Sequence, residues 1–405
     1  IREIGDIVRY TPGVNTSQGE GHRDAVVFRG VRSTADFYQD GVRDDVQYYR
    51  SLYNVDQVEI LRGPNALLFG RGGTGGIINR VTKKAVIGEQ FGSFDLGADD
   101  FGSTDLALDY NIQSSENSAL RINVHVDALE NHRDFYDGDR VGFNPTLRVA
   151  LSEDTILDLS YENADHERMI DRGIPTANGV PVKSLKSIVF GTSDLNTTTL
   201  EADIFRGSLT HNFSETSKGI FSITSSEFEK LYQNLYASGY NATTNVVTLD
   251  GYRDPTEREN LIISGNLINE VQIGSTTHTI LIGAEMIDTD NKNHRYDSYW
   301  STTQKDKESF NVSRPLNIGA NSAGVSTGVN FNTKLKSKTT SDIEVTSFYI
   351  QDQIDVSDNL KLMLGGRIDQ FDIIVDDIKS GTSQSRNDDE FSPRAGVIFK
   401  PQDNV

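Results

Sequence analysis

The sequence predicts an all-β membrane barrel of antiparallel strands with a mixed α/β domain at its N-terminal end. Three observations support this fold class. Residues 86–405 contain about twelve stretches in which apolar and polar side chains alternate. The links between these stretches are short and long in turn. Residues 1–85 are instead interrupted every few residues by Gly, Pro or Asp. We therefore divide the chain into an N-terminal domain, residues 1–85, and a barrel wall, residues 86–405.

The N-terminal domain consists of short apolar runs separated by turn residues, such as AVVFRGV, DFYQDGVR and QVEILRG. This pattern predicts a compact, turn-rich domain of mixed secondary structure. A hydrophilic domain coupled to a barrel is typical of the segment that fills the lumen of the largest barrels. We expect residues 1–85 to lie inside the barrel.

The strands of the wall are predicted by period-2 alternation. The clearest is SALRINVHVDA at 118–128, in which Leu120, Ile122 and Val124 point to one face and Arg121 and Asn123 to the other. Stretches of about 9–11 tilted residues are long enough to cross a bilayer. The other predicted strands lie at 91–99, 104–112, 145–151, 155–163, 205–213, 218–228, 260–271, 277–287, 344–356, 359–369 and 392–400.

The links decide what kind of sheet the strands form. Short links lie at 113–118, 152–154, 214–217, 274–277 and 357–359, and long links at roughly 131–143, 165–204, 230–258, 289–343 and 372–391. Outer-membrane barrels have short turns at the periplasmic end and long extracellular loops. A soluble propeller or sandwich is the alternative, but its strands follow each other at even spacing.

Composition excludes several classes of protein. The net charge of −20 argues against nucleic acid as a partner, because phosphate binding needs a basic surface. With no cysteine, the chain has neither a disulfide framework nor a thiolate metal site. Its apolar runs are far shorter than the roughly 18 residues of a membrane helix. The chain starts at Ile1 without a signal peptide, so we expect a fragment or a trimmed mature chain.

The glycine motif in FGRGGTGGIINRV has the spacing of a dinucleotide-binding loop, with Gly70, Gly72 and Gly75 as its glycines. Such a loop needs a helix after it, because the helix N-terminus holds the phosphates. The β-branched run at 77–82 predicts a strand instead. We therefore interpret these glycines as part of a tight strand-turn-strand connection and predict no nucleotide site.

Four segments of the N-terminal domain resemble a known family: TPGV at 11–14, FRG at 28–30, DFYQDGVRD at 36–44 and QYYRSLYNVDQVEILRGPNALLFGRGGTGGIINRVTKK at 47–84. They are similar to the plug domain of TonB-dependent outer-membrane receptors of the ferric-siderophore branch. The resemblance implies a complete barrel of about 22 strands closed by the plug. It also implies a monomer in the outer membrane of a Gram-negative bacterium, surrounded by its lipids.

The resemblance further implies a function. Such a receptor binds a ferric siderophore and imports it with energy from a TonB-type complex of the inner membrane. Compared with the complete family pattern, this chain begins after the position of the TonB box and ends after its twelfth predicted strand. We expect the chain alone to be unable to transport. Receptors for haem, cobalamin or a glycan, and a signalling or docking barrel without transport, are the alternative functions.

The resemblance also suggests residues of a binding site. Arg29 of the FRG segment matches an arginine that contacts ligand in some members, and Gln47, Tyr48, Tyr49 and Tyr53 match the apex loop of the plug. An ion pair with Glu59 or Asp40 is the alternative for Arg29. Packing between plug and barrel is the alternative for the tyrosines.

Two further sets of residues are candidates. Tyr296, Tyr299 and Trp300 in the longest outer loop could stack on a chelate, or they could belong to the aromatic girdle at the membrane interface. Tyr232, Tyr236 and Tyr240 present the same choice. We interpret four charged residues as a latch that pairs plug with barrel: Glu59, Arg62, Arg71 and Arg80.

No residues predict catalysis or a resident cofactor. The histidines lack ligand spacing, and Asp288 and Asp290 do not fit a calcium loop because Lys292 occupies the next ligand position. The sequence contains no recognisable triad or pair of catalytic carboxylates. We therefore expect a protein that is not an enzyme, with no protein-held metal and with iron entering only inside its chelator.

Overall fold

The computed structural model describes residues 3–17, 20–34, 36–62, 73 and 75–401. Within these ranges the N-terminal domain, here called the plug, has one short helix and two small sheets. No helix in the described ranges is long and apolar enough to cross a membrane. The elements of the plug are α1 (Ile4–Val8), β1 (Val14–Thr16), β2 (Val26–Phe28), β3 (Val31–Ser33), β4 (Phe37–Gln39), β5 (Val42–Arg43), β6 (Val55–Arg62) and β7 (Gly76–Thr82).

The two plug sheets share one apolar core. Strands β1, β2 and β3 form an antiparallel sheet, and the second sheet has the order β5-β4-β7-β6, in which β4 and β7 are parallel. Helix α1 covers both through Ile4 and Val8, which pack with Val26, Phe28 and Phe37. The plug is therefore the mixed α/β domain that the sequence predicts.

The rest of the chain forms one antiparallel wall. Its elements are β8 (Phe91–Ala98), β9 (Thr104–Ser115), β10 (Ser118–Glu130), β11 (Asp137–Ser152), β12 (Thr155–Met169), β13 (Thr176–Ala177), β14 (Val180–Pro181), a 3-10 turn (Lys183–Leu185), β15 (Thr197–Ser214), β16 (Ser217–Asn241), β17 (Val246–Ile273), β18 (Thr276–Trp300), β19 (Glu308–Asn311), β20 (Val329–Ser357), β21 (Leu360–Asp377) and β22 (Thr382–Phe399). All except β13, β14 and β19 pair with their neighbours in chain order.

All twelve predicted strands are present in the wall, so the prediction of a partial barrel is confirmed. Four strands are much longer than predicted: β16, β17, β18 and β20 have 25, 28, 25 and 29 residues. Most of the predicted long link at 230–258 is therefore strand. Apolar and polar side chains alternate where one face of a strand meets lipid. The extensions lie beyond the lipid and lose this alternation, although their backbone hydrogen bonds continue.

The two ends of the wall differ. Two-residue turns join β9 to β10, β11 to β12, β15 to β16, β17 to β18 and β20 to β21, and we call this the turn end. The connections that contain β13, β14 and β19 lie at the opposite end, which we call the loop end. Along the outer face, large apolar side chains are exposed, for example Phe205 and Leu209 on β15. This is the surface that a membrane barrel presents to lipid.

Glycines 75 and 76 sit where the plug backbone is most crowded. A Cβ atom at Gly75 would lie 2.7 Å from Phe28 Cβ, and one at Gly76 would lie 2.6 Å from the Leu61 carbonyl oxygen. Gly76 also has a φ of +154°, which side chains other than glycine rarely adopt. Strand β7 begins there, as expected for a strand-turn-strand connection; Gly70 and Gly72 lie outside the described residues.

The substitution Gly76→Ala is expected to destabilise the plug by about 1–3 kcal/mol, because the added methyl group overlaps backbone and ring atoms that have no room to move. Thermal unfolding of the purified receptor measures the effect. Gly5→Ala in α1 is the matched control, since its Cβ would meet only Thr16 Cγ2 at 3.9 Å. Equal melting temperatures for the two variants would contradict the packing described for Gly76.

Candidate functional site

A cavity of about 360 Å³ separates the plug from the wall on the loop-end side. Six plug residues line it: Glu20, His22, Arg23, Asp45, Val46 and Gln47. The wall contributes side chains from four adjacent strands, principally Lys230 and Tyr232 of β16, Asp254 and Arg258 of β17, Arg295 of β18 and Ser337 of β20. The cavity is therefore bounded by charged and polar groups from both parts of the chain.

The floor of the cavity is the segment 44–50, which follows β5 and which we call the apex loop. Arg50 holds this loop from beneath, with a side chain that is completely buried. Its Nη2 donates to the backbone carbonyls of Asp44 and Val46, at 2.9 and 2.7 Å, and its Nη1 to that of Tyr48, at 3.2 Å. One guanidinium thus fixes three carbonyls of a loop that has no regular secondary structure of its own.

Aromatic rings and a carboxylate complete the surroundings of Arg50. Its guanidinium carbon lies 4.0 Å from the centre of the Phe37 ring and 4.4 Å from that of Tyr48. Its Nε donates to Asp44 Oδ2 at 2.8 Å. A planar guanidinium is suited to such a position, because it stacks on aromatic faces and donates in several directions at once.

Asp44 connects Arg50 to a second buried cation. Arg80 Nη2 lies 2.6 Å from Asp44 Oδ2, and the Tyr48 hydroxyl donates to the same oxygen at 2.9 Å. Burial alone would raise the pKa of Asp44, but the two guanidiniums outweigh burial and the pKa is lowered. Asp24 differs: burial raises its pKa to about 6 against the opposing effect of Arg50.

A second plug segment, residues 20–23, is bonded to the wall above the apex loop. The Tyr252 hydroxyl donates to Glu20 Oε1 at 2.6 Å, and the Tyr232 hydroxyl donates to the Glu20 carbonyl at 3.0 Å. His22 stacks on the Tyr232 ring with a centroid distance of 3.9 Å. Burial is the main cause that lowers the pKa of His22, to about 4, so this imidazole is neutral at pH 7.

Tyrosines and arginines cluster on the wall beside the cavity. The guanidinium carbon of Arg172 lies 4.0 Å from the Tyr236 ring centre, and that of Arg295 lies 4.2 Å from the Tyr252 ring centre. The Tyr232 and Tyr252 rings are 5.5 Å apart. Cations and aromatic rings thus contact each other beside the cavity, although of these groups only Tyr232 and Arg295 line it.

Of the apex residues suggested by resemblance, the structure places only Gln47 on this cavity. The other three pack between plug and wall. Tyr48 contacts Phe228 at a centroid distance of 6.0 Å, Tyr49 lies 3.9 Å below the Arg168 guanidinium carbon, and Tyr53 stacks on His125 at 5.5 Å. These positions correspond to the interfacial packing that we held as the alternative.

Arg29 lies elsewhere. It occupies the turn between β2 and β3 with a φ of +47° and an exposed side chain, and it does not line the cavity. Neither Glu59 nor Asp40 forms an ion pair with it within the described ranges, because Glu59 accepts from Asn79 and Asp40 accepts from Thr82. The described surroundings of Arg29 thus show neither of the two expected contacts, with the cavity or with an acidic partner.

The aromatic cluster of the outer loop is part of a core and not of the cavity. Trp300 is fully buried and packs on Phe310 with ring centres 5.0 Å apart. Tyr296 packs against the same cluster, and Tyr299 pairs with Asn330 in the sheet. Because β18 and β20 extend beyond the predicted strands, connecting segments fold over them and bury Trp300. In this conformation Trp300 cannot stack on a ligand.

The residues interpreted as a latch bond mainly within the plug. Glu59 accepts from Asn79 at 2.8 Å, and Arg62 donates to the Pro12 carbonyl. Arg80 reaches the wall only indirectly: it donates to Gln39 at 2.9 Å, and Gln39 donates to Glu162 of β12 at 3.0 Å. Arg71 lies outside the described residues.

Other pairs cross from plug to wall. The salt bridges within the described ranges are Glu3–Arg140 at 3.0 Å, Asp45–Arg258 at 2.7 Å, Lys83–Asp109 at 3.0 Å and Lys84–Asp158 at 3.7 Å. The four wall residues lie on four different strands, with Asp109 on β9, Arg140 on β11, Asp158 on β12 and Arg258 on β17. The plug is therefore fastened at both ends of the wall.

Sequence reasoning missed Arg50, Tyr252 and Lys230. Arg50 carries no local signal, because its partners come from separate parts of the plug. Lys230 could have been found: continuing the alternation of the predicted strand 218–228 places residues 230 and 232 on the lumen face.

Comparison with known proteins agrees with this architecture. Residues 1–77 match the family model described as TonB-dependent receptor plug domain, and residues 142–405 match the model described as TonB dependent receptor-like β-barrel. A barrel wall that encloses a plug, with a polar cavity above it, defines an outer-membrane receptor of this class. The chain belongs to the TonB-dependent receptor family.

The relatives include receptors named for siderophores, which confirms the resemblance to that branch. The probable TonB-dependent siderophore receptor PiuA of Acinetobacter baumannii is 25% identical over 100% of this chain and 57% of its own length. The metal-pseudopaline receptor CntO of Pseudomonas aeruginosa is 25% identical over 87% of this chain and 49% of its own length. The chain therefore spans about half the length of these relatives.

Solved structures show the same fold. The crystal structure of PiuA superimposes with a TM-score of 0.85 at 21% identity, covering 99% of this chain and 60% of that one. The ferric-catecholate import receptor Fiu of Escherichia coli K12 in its open form gives a TM-score of 0.82 at 18% identity, covering 99% and 65%. Family members are transport receptors of the Gram-negative outer membrane, whose long loops are extracellular.

The substitution Arg50→Met is expected to cost about 3–5 kcal/mol of plug stability, because it leaves three loop carbonyls without their donor and removes one of the two buried cations that pair with Asp44. We expect chymotrypsin to cleave the purified variant within the apex loop at Tyr48 or Tyr49, which are buried in the intact plug. Arg9→Met is the control, since the contacts of Arg9 with Asp6 and with the Gly5 carbonyl are exposed. An apex loop as resistant in Arg50→Met as in wild type would contradict the role assigned to Arg50.

Proposed function

We propose that this protein is an outer-membrane receptor that binds a ferric siderophore in the cavity above the apex loop and imports it with energy from a TonB-type inner-membrane complex. The observation that carries the proposal is the position of the cavity. It lies on the loop-end side, which faces outward in this family, and its walls come from both plug and barrel. A ligand there contacts the element that must move for passage.

The chemistry of the cavity suits binding and not conversion. Its cations lie in ion pairs or donate to carbonyls, so they present fixed hydrogen-bonding groups to a polar chelate. Because the iron travels inside its chelator, the protein needs neither a nucleophile nor a resident metal. The proposed activity is therefore transport without covalent catalysis, with iron as cargo.

A receptor for a chelate of a different transition metal is the second candidate. The observation that favours it is the relative named for metal-pseudopaline, which matches 87% of this chain. The two candidates differ only in the metal and the chelator, and they share the cavity. Competition between iron, nickel, cobalt and zinc complexes of one chelator separates them.

The experiment is equilibrium binding of radioactive iron complexes to the purified receptor in detergent, with iron-free chelators as competitors. One class of iron-loaded chelate is expected to bind saturably and its iron-free form much more weakly. Asn293→Trp, which places a large ring at the edge of the cavity, is expected to weaken binding about tenfold or more by occupying ligand volume, a change of about 1.4 kcal/mol. Asn117→Trp at an exposed turn-end position is the matched control.

Import is tested separately in cells. Uptake of the bound chelate is expected to require both this receptor and a functional TonB protein. Failure of every metal chelate to bind the wild-type receptor would contradict the proposed ligand class, and uptake that persists without TonB would contradict the proposed energy source.

A further inference from the structure

The charges around the cavity are matched pair by pair, with one exception. Arg23 lies 2.6 Å from Glu20, Arg258 lies 2.7 Å from Asp45, and Arg295 pairs with Asp254. Each arginine thus has its own carboxylate. An incoming anion gains little from such a cation, because it must compete with a partner that is already in place.

Lys230 is the exception. Its side chain is partly buried on β16 and lines the cavity. Its Nζ donates to the Gln47 backbone carbonyl at 3.0 Å, and no carboxylate forms an ion pair with it in the part of the chain that the structure describes. An ammonium group has three donors, so it can donate to an anionic oxygen while it keeps this bond.

The position of Lys230 makes an anion favourable there. A cation that has lost part of its hydration and gained one neutral acceptor is stabilised strongly by a charged oxygen nearby. The surrounding groups also limit which anion fits. Tyr232, the tyrosine that lines the cavity, is only 1% exposed and already stacks on His22, so it offers little aromatic face to a ligand.

We infer that Lys230 is a specificity-determining subsite that binds a free carboxylate of the metal chelate. This assignment rests on the proposed function of the same cavity. A carboxylate provides the hard, compact oxygen that an ammonium prefers, whereas a catecholate complex also needs aromatic faces with which to stack. The ligand class is therefore an anionic, carboxylate-bearing iron chelate.

The hydrogen bond from Lys230 to the Gln47 carbonyl also links this subsite to the plug. Its ammonium would hold the ligand and the apex loop at once, because Gln47 belongs to the floor of the cavity and Lys230 to the wall. A bound carboxylate draws the ammonium toward itself and weakens its bond to the Gln47 carbonyl. Binding at this subsite therefore changes a contact between plug and wall directly.

Three iron(III) probes test the assignment in the equilibrium binding assay: iron(III) citrate, a neutral tris-hydroxamate complex and a tris-catecholate complex. Wild type is expected to bind the citrate complex most tightly. Lys230→Met and Lys230→Gln are expected to weaken that binding about ten- to hundredfold, the range for one hydrogen bond to a charged group. Lys230→Arg keeps the charge and is expected to stay within about threefold of wild type.

The controls separate this assignment from the function on which it rests. Lys292→Met removes an exposed cation paired with Glu257, and its binding is expected to equal that of wild type. Unchanged citrate binding in Lys230→Met and Lys230→Gln, or tightest binding of the hydroxamate or catecholate complex by wild type, would overturn the carboxylate subsite alone. Absence of binding of every probe to wild type would overturn the proposed function and the subsite together.

Discussion

The buried guanidinium of Arg50 is the interaction on which the functional part of the plug depends. The apex loop has no strand or helix to satisfy its backbone, and it forms the floor of the cavity in which we propose that the ligand binds. Arg50 satisfies its carbonyls from inside, and Phe37 and Tyr48 enclose the cation. Asp44 joins Arg50 to Arg80, so that two buried cations share one carboxylate. The result is a loop that polar contacts fix from inside the plug, while its Val46 and Tyr48 pack in an apolar cluster with Phe228 of the wall.

The proposed transport function requires the plug to rearrange within the wall. Beside the apolar packing of Val46 and Tyr48 on the wall, many contacts between plug and wall are ion pairs and hydrogen bonds, such as Asp45–Arg258 and Glu20–Tyr252. Such contacts can be exchanged one for another at modest cost, since each group can find a new partner or water. The plug's own apolar core, by contrast, lies away from the wall around Phe28 and Phe37. The plug is therefore built to remain folded while its contacts with the wall change.

How far the sequence predicts this structure depends on what surrounds each part. The twelve wall strands are predictable because lipid outside and a polar lumen inside force alternation. Beyond the membrane this constraint ends, so the sequence predicts loops where the extensions of β16–β18 and β20 form strands. Trp300 was misplaced for the same reason, because a core built on those extensions buries it. Lys230 and Gln47 are 183 residues apart in the chain, so no local pattern indicates that they meet.

We propose that the ligand binds between the apex loop and strands β16–β18. The most direct test is a crystal structure of the receptor with its iron chelate, in which anomalous scattering locates the iron without bias from the protein. We expect one iron peak within the cavity bounded by Gln47, Lys230 and Arg295. An iron peak on the turn-end side of the plug, or among the outer segments around Trp300, with the cavity empty, would contradict the account.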